Sequence, residues 1–175
     1  MSIDKVVIIT GASRGIGLAI ANRFHAEGAR VAMCARSIDA LARTEAGFGR
    51  DRALAVAMDI RSPQSVHAGI QRIVERFGRI DVVVNNAGVS GITPIDASDT
   101  AAWLDIINTN IVGTYQVTRA AVPHVSDGGR IVIMSSVLGK FGVPEYTAYC
   151  TAKTGLIGFT RALALELAPR KITVN

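Results

Sequence analysis

The stretch Thr10-Gly11-Ala12-Ser13-Arg14-Gly15-Ile16-Gly17 follows the apolar run Val6-Val7-Ile8-Ile9, and Ile16, Ile20 and Phe24 then recur at helical spacing. A buried strand, a glycine turn and a helix in that order predict the opening of a βαβ unit. The spacing is G-x-x-x-G-x-G, which differs from the commoner G-x-G-x-x-G fingerprint. Glycines at such a turn let backbone N–H groups approach a pyrophosphate, and the positive end of the helix dipole favours the anion. Three glycines also suit a bare tight turn. Their place between strand and helix is what favours dinucleotide binding.

Outward from this turn, short Val- and Ile-rich runs alternate with longer segments of helical period. The predicted strands are Val6–Thr10, Arg30–Ala35, Leu54–Met58, Val82–Asn85, Arg130–Ser135 and Lys171–Asn175. Helices are predicted at Gly15–Glu27, Ile38–Ala46, Pro63–Phe77, Thr100–Val125 and Tyr146–Leu167. Strands without polar alternation are buried on both faces, as in a parallel sheet. No repeat or Pro/Ser-rich linker divides the chain, so the expectation is an α/β, doubly wound Rossmann fold forming one dinucleotide-binding domain over residues 1–175. Its ligand belongs beyond the carboxyl ends of the strands, where the strand order switches.

Composition excludes several alternatives. With 175 residues, 49% of them hydrophobic and 19% charged, the chain buries a core without disulfide or metal staples and is not a disordered polymer. No apolar run approaches the ~20 residues of a membrane span, and Lys5 is too isolated for a signal-peptide n-region. A cytoplasmic protein with no membrane partner is expected. The net charge of +5 comes from scattered Lys and Arg rather than a run, which argues against nucleic acid. Cys34 and Cys150 lack a CxxC partner, and His25, His67 and His124 sit in unrelated segments, so no metal site is expected.

The end of the second strand bears on which dinucleotide binds. A NAD site usually carries an acid about 20 residues past the glycine turn, to hold the ribose hydroxyls. Here the residues are Cys34-Ala35-Arg36-Ser37, with no acid before Asp39. Arg36 and Arg14 suit a 2′-phosphate. Charge-assisted hydrogen bonds of about 1.5–3 kcal/mol each would favour NADP(H) over NAD(H) by roughly one to three orders of magnitude. The plainer alternative is that Arg36 ends a strand at the surface.

Four further motifs complete the set: Asn85-Asn86-Ala87-Gly88 after the fourth strand, Asn110 before Gly113, Ser136 at the end of the fifth strand, and Tyr149-Cys150-Thr151-Ala152-Lys153 opening the last helix. In this order, with Tyr149 thirteen positions after Ser136, the chain resembles the classical short-chain dehydrogenase/reductase family along its whole length. Tyr149 and Lys153, four apart, share a helix face. A tyrosine ordinarily titrates near pH ~10, and a neighbouring ammonium brings such a phenol toward the working range. The resemblance implies that Tyr149 gives or takes the proton, Ser136 orients the carbonyl, Lys153 also holds the nicotinamide ribose, and Asn110 holds a relay water. Tyr146 lacks the lysine four residues on, Ser135 points opposite to Ser136, and Asn108 lacks the spacing to Gly113. The resemblance further implies cofactor contacts from Gly11, Ser13, Arg14, Gly15, Ile16, Gly17 and Arg36. It assigns Asp59 to the adenine amino group, Ile60 to the ring beside it, and Asn86, Ala87 and Gly88 to the adenosine side. Asp59 as the N-cap of a turn is the structural alternative.

The glycine turn is similar to that of 3-oxoacyl-carrier-protein reductases, which makes a β-ketoacyl thioester the first substrate expectation. A sugar, steroid or secondary metabolite is the alternative, since Val137 to Glu145 contains Leu138, Phe141, Val143 and Pro144 and suits many hydrophobic ketones. The family pattern continues beyond a segment like Ile172-Thr173-Val174-Asn175, so the resemblance implies a C-terminally truncated chain. The alternative to an enzyme is a truncated, non-catalytic dinucleotide-binding module. The resemblance also implies a homodimer or homotetramer packed through the helices around Asn110 and Tyr149.

Overall fold

The computed structural model describes residues 4–97 and 99–175. Six parallel strands form one sheet in the order β3-β2-β1-β4-β5-β6: β1 is Val6–Thr10, β2 Arg30–Ala35, β3 Ala53–Ala57, β4 Ile80–Asn85, β5 Val125–Ile133 and β6 Thr173–Val174. The helices are α1 (Gly15–Ala26), α2 (Ile38–Phe48), α3 (Pro63–Phe77), α4 (Thr100–Ile107), α5 (Gly113–Ala121) and α6 (Thr147–Leu167). The doubly wound Rossmann-type α/β fold expected from the alternation is the fold observed.

Alternation along the strands builds two cores. In β1, Val6 and Ile8 join the core beneath α3, α5 and α6, while Val7 and Ile9 join the one beneath α1 and α2. Fully buried side chains such as Ile8, Ile9 and Ile131 each contribute about 1.5–3 kcal/mol relative to exposure. The amphipathic helix α3 is closed at both ends by local chemistry. Ser62 accepts a hydrogen bond from the Ser65 N–H, Pro63 occupies the first turn, and Gly78 ends the helix in the left-handed region.

The long helix expected over Thr100–Val125 is interrupted. Between α4 and α5, residues Asn108–Val112 form a single π turn. The Asn110 side-chain amide donates to the Ile106 carbonyl at 2.8 Å, taking the acceptor four residues back that a regular helix would use. The expected helix also ends early, because Val125 already pairs with Ile80 in the sheet. Strand β5 starts earlier than expected, since the polar turn residues Asp127-Gly128-Gly129 lie inside it. Strand β6 is shorter than expected, although Asn175 extends its ladder to Ile131 and Ile133 at 3.0 and 2.8 Å. Helix α2 runs two residues past Ala46, to Phe48.

Candidate active site

The chain leaves β1 toward β2 on one side, and β4 lies on the other. A cleft opens at this switch, and side-chain hydrogen bonds knit its floor. The Thr10 hydroxyl accepts from the Asn86 and Ala87 N–H groups, both at 3.0 Å, and the Asn86 amide donates to the Thr10 and Gly11 carbonyls at 2.9 and 3.3 Å. Glycine is required where the glycine turn meets this latch. Gly11 has φ +66°, and a Cβ on it would lie 2.9 Å from the Ala87 Cα.

The resulting cleft, of about 370 Å³, gathers most of the expected cofactor residues. Gly11, Ser13, Arg14, Gly15 and Ile16 form one wall, Arg36, Asp59 and Ile60 the second, and Asn86, Ala87 and Gly88 the third. Gly17 is not part of the lining. It is buried at the start of α1, packed against the Gly11 carbonyl and the Asn86 amide. Arg14 and Arg36 are exposed, and neither enters an ion pair among the described residues. Two guanidiniums at the rim and a turn that has no space for a side chain at Gly11 or Gly17 fit a phosphate-bearing dinucleotide.

Sequence reasoning missed several lining residues, among them Arg61, Asp105 and Thr109. Arg61 donates to Asp59 at 3.0 Å and to Asp105 at 2.9 Å, joining the end of β3 to α4. The hydrogen-bonded Arg61 holds the Asp59 carboxyl below the usual carboxylate value, with burial opposing. Asp59 also accepts the Arg61 backbone N–H at 3.0 Å, so the turn role weighed for it is present in the structure. No local signal in the sequence pairs Arg61 with Asp105, 44 positions away.

Gly88 joins this cleft to the residues expected to handle the proton. A Cβ on it would lie 2.5 Å from Asn110 Oδ1 and 3.6 Å from Lys153 Nζ. Asn110 is 1% exposed, and its amide donates to the Val89 and Ile106 carbonyls at 2.7 and 2.8 Å, while Oδ1 has no partner. Lys153 is also buried. Its Nζ donates to the Met134 carbonyl at 2.7 Å and stands 5.6 Å from the centre of the Tyr149 ring. Burial pulls the Lys153 ammonium below the ordinary lysine value.

Strand β5 ends at Ile133, short of the expected Ser135, so the two serines lie beyond it and are separated by the turn that follows. Ser135 donates to the Lys153 carbonyl at 2.8 Å and so faces α6, whereas Ser136 Oγ accepts from the Leu138 N–H at 3.2 Å and caps the short turn Val137–Gly139. Thr154 donates to the Gly139 carbonyl at 3.1 Å, pinning that turn to α6. A larger groove of about 790 Å³ lies between α3 and α5, apart from all of these groups. No helix among the described residues is long and apolar enough to cross a membrane.

A family model for short chain dehydrogenase matches residues 5–175. The 3-oxoacyl-(acyl-carrier-protein) reductase of Pseudomonas aeruginosa is 39% identical over 176 residues, covering 98% of this chain and 71% of that protein. The enzyme of the same name from Haemophilus influenzae is 35% identical over 173 residues, covering 98% of this chain and 71% of its own length. Among solved structures, a point variant of actinorhodin polyketide ketoreductase with NADPH matches with TM-score 0.92 and 40% identity, over 98% of this chain and 68% of that one. A short chain dehydrogenase from Burkholderia cenocepacia in complex with NADP matches with TM-score 0.92 and 36% identity, over 98% of this chain and 71% of that one.

Proposed function

Because this chain belongs to the short chain dehydrogenase family, whose members are oxidoreductases, we propose that it is an NADP(H)-dependent ketone reductase. A 3-oxoacyl thioester is its preferred class of substrate. The observation that carries this reading is Gly88, which lines the dinucleotide cleft and leaves no room for a side chain beside the proton-handling groups: an added Cβ would lie 2.5 Å from Asn110 Oδ1 and 3.6 Å from Lys153 Nζ. One glycine thus joins the cleft with the exposed Arg14 and Arg36 to the residues that would handle the proton.

A nicotinamide dinucleotide held in the cleft by the glycine turn, Arg14 and Arg36 would supply the hydride. Ser136 orients the carbonyl oxygen through its hydroxyl, and Tyr149 gives its phenolic proton to that oxygen as the carbonyl carbon is reduced. The phenolate that remains faces the Lys153 ammonium 5.6 Å from the ring centre, and solvent protons restore the phenol. Met134 compensates in part for the desolvation of that ammonium by accepting its hydrogen bond. The unpartnered Asn110 Oδ1 suits a relay water. On the substrate side, the exposed Val137, Phe141 and Val143 suit an acyl chain. The relatives named as 3-oxoacyl-(acyl-carrier-protein) reductases support the thioester class. A cytoplasmic homodimer or homotetramer, and one dinucleotide-binding domain over residues 1–175, complete the proposal.

The test follows NADPH oxidation at 340 nm with an acetoacetyl thioester, alongside the thermal shifts given by NADPH and NADH. Turnover by the wild type, abolished in Tyr149→Phe, and a larger shift with NADPH are expected. A wild type that binds NADPH but reduces no ketone would favour a dinucleotide-binding module. An equal or larger shift with NADH would overturn the assignment of Arg14 and Arg36.

A further inference from the structure

Helix α6, which carries Tyr149 in its first turn, starts without the usual local cap. Its N-cap residue is Tyr146, which makes no side-chain hydrogen bond to the helix, and Glu145 just before it has φ 67°. A helix start leaves N–H groups with no intrahelical acceptor, and a Ser, Thr, Asp or Asn at the N-cap normally meets one of them.

Here the acceptor comes from a distant loop. Thr93, 1% exposed and following β4, places Oγ1 3.3 Å from the N–H of Ala148, the residue before Tyr149. The same threonine donates its own N–H to the Glu145 carbonyl at 2.6 Å, making an isolated parallel bridge with Tyr146. Thr147 closes the arrangement: its hydroxyl donates to the Thr93 carbonyl at 3.0 Å and accepts from Trp103 Nε1 of α4 at 3.2 Å. The loop after β4, the start of α6 and helix α4 therefore meet on two threonine side chains. That loop also carries Gly88, and its Val89 carbonyl holds the Asn110 amide.

We propose that Thr93 is a positioning residue, capping the catalytic helix from a separate segment and thereby holding the Tyr149 ring against Lys153. The proposal rests on the reading of Tyr149 as the proton donor. It adds that the donor's placement is coupled to the loop lining the cofactor cleft. Hydroxyl and carbonyl act together: Oγ1 fixes the first turn, and the backbone fixes the chain leading into it.

The experiment compares wild type, Thr93→Val, which keeps the shape but removes the acceptor, and Thr93→Ser, which keeps the acceptor. In Thr93→Val, amide hydrogen exchange at Ala148 should quicken about tenfold while strands β1 and β4 keep their protection. Nuclear Overhauser contacts between the Tyr149 ring and the Lys153 side chain should weaken. The kcat for the acetoacetyl thioester should fall about 10- to 100-fold with the NADPH Kd within about twofold of wild type. Thr93→Ser should restore all three. Unchanged exchange at Ala148, or Tyr149–Lys153 contacts that persist in Thr93→Val, would overturn the proposal. So would a kcat equal to wild type despite faster exchange. A wild type with no ketone reduction would sink the functional reading instead, and the exchange and Overhauser measurements would still decide the positioning role.

Discussion

Replacing Gly17 with alanine tests the packing that shapes the cleft. A Cβ there would stand 2.4 Å from the Gly11 carbonyl oxygen and 2.6 Å from Asn86 Nδ2, roughly 1 Å inside ordinary contact. The first obstacle is backbone, so no rotamer relieves it. Either α1 withdraws from the glycine turn or the Asn86 amide leaves the Thr10 and Gly11 carbonyls. Overpacking costs about 1–3 kcal/mol, and the two hydrogen bonds about 0.5–1.5 kcal/mol each. The better helix propensity of alanine returns up to about 1 kcal/mol, which leaves a net loss of about 1–5 kcal/mol. With a urea m-value of about 2 kcal/mol/M, the unfolding midpoint should fall by about 0.5–2.5 M. NADPH affinity, followed by fluorescence titration, should drop at least about tenfold as the turn is displaced. Gly15→Ala is the paired control, because Gly15 has φ +55° but nothing within 4 Å of its added Cβ. It should lose only about 1–2 kcal/mol, from conformation alone. A Gly17→Ala midpoint equal to wild type, or a greater loss from Gly15→Ala, would refute the argument that space rather than backbone angle decides this position.

Cys34 is fully buried and its thiol is pushed up to about 12, so the native state keeps a proton that the unfolded chain releases from about pH 9. Its contribution is therefore intact below pH 9 and is lost as pH rises toward 12, with a slope of up to about 1.4 kcal/mol per pH unit. Urea titrations from pH 8 to pH 10.5 should show that slope flattened in Cys34→Ala; parallel slopes in the two proteins would contradict it. In the native state a maleimide should label Cys150 alone, with Cys34 reacting only after denaturation, and mass spectrometry should read one adduct and then two. Arg36→Ala should cut the preference for NADPH over NADH about tenfold or more in thermal-shift titrations; an unchanged preference would assign the phosphate elsewhere. Glu145→Gly relieves a left-handed φ of 67° and should leave stability unchanged or raised by up to about 1 kcal/mol, and a loss above that size would show that the Glu145 side chain contributes a contact of its own.

Local periodicity and short-range sterics made much of this protein readable from its residues. Val6 to Ile9 reads as a strand buried on both faces, the glycine turn between it and a helical period reads as the start of a βαβ unit, and Tyr149 and Lys153 share a face because they are four apart on α6. Ser135 and Ser136 face different partners as expected, but they do so beyond the end of β5, through the turn that Ser136 caps. Local pattern misled where a side chain competed with the backbone. Asn110 reads as one more helical residue, yet its amide takes the Ile106 carbonyl and turns the helix into a π turn, leaving Oδ1 beside Gly88. Polar residues inside β5 hid that strand's beginning for a related reason, since pairing with β4 overrode their turn propensity. Only the tertiary structure could place Arg61 between Asp59 and Asp105, or Thr93 over the start of α6. These contacts join segments 44 and 55 positions apart, and no spacing rule within one helix or strand encodes such an approach. The sequence thus determined which elements form and which residues are proposed to carry the chemistry on them. The packing of distant segments decided how firmly each is held.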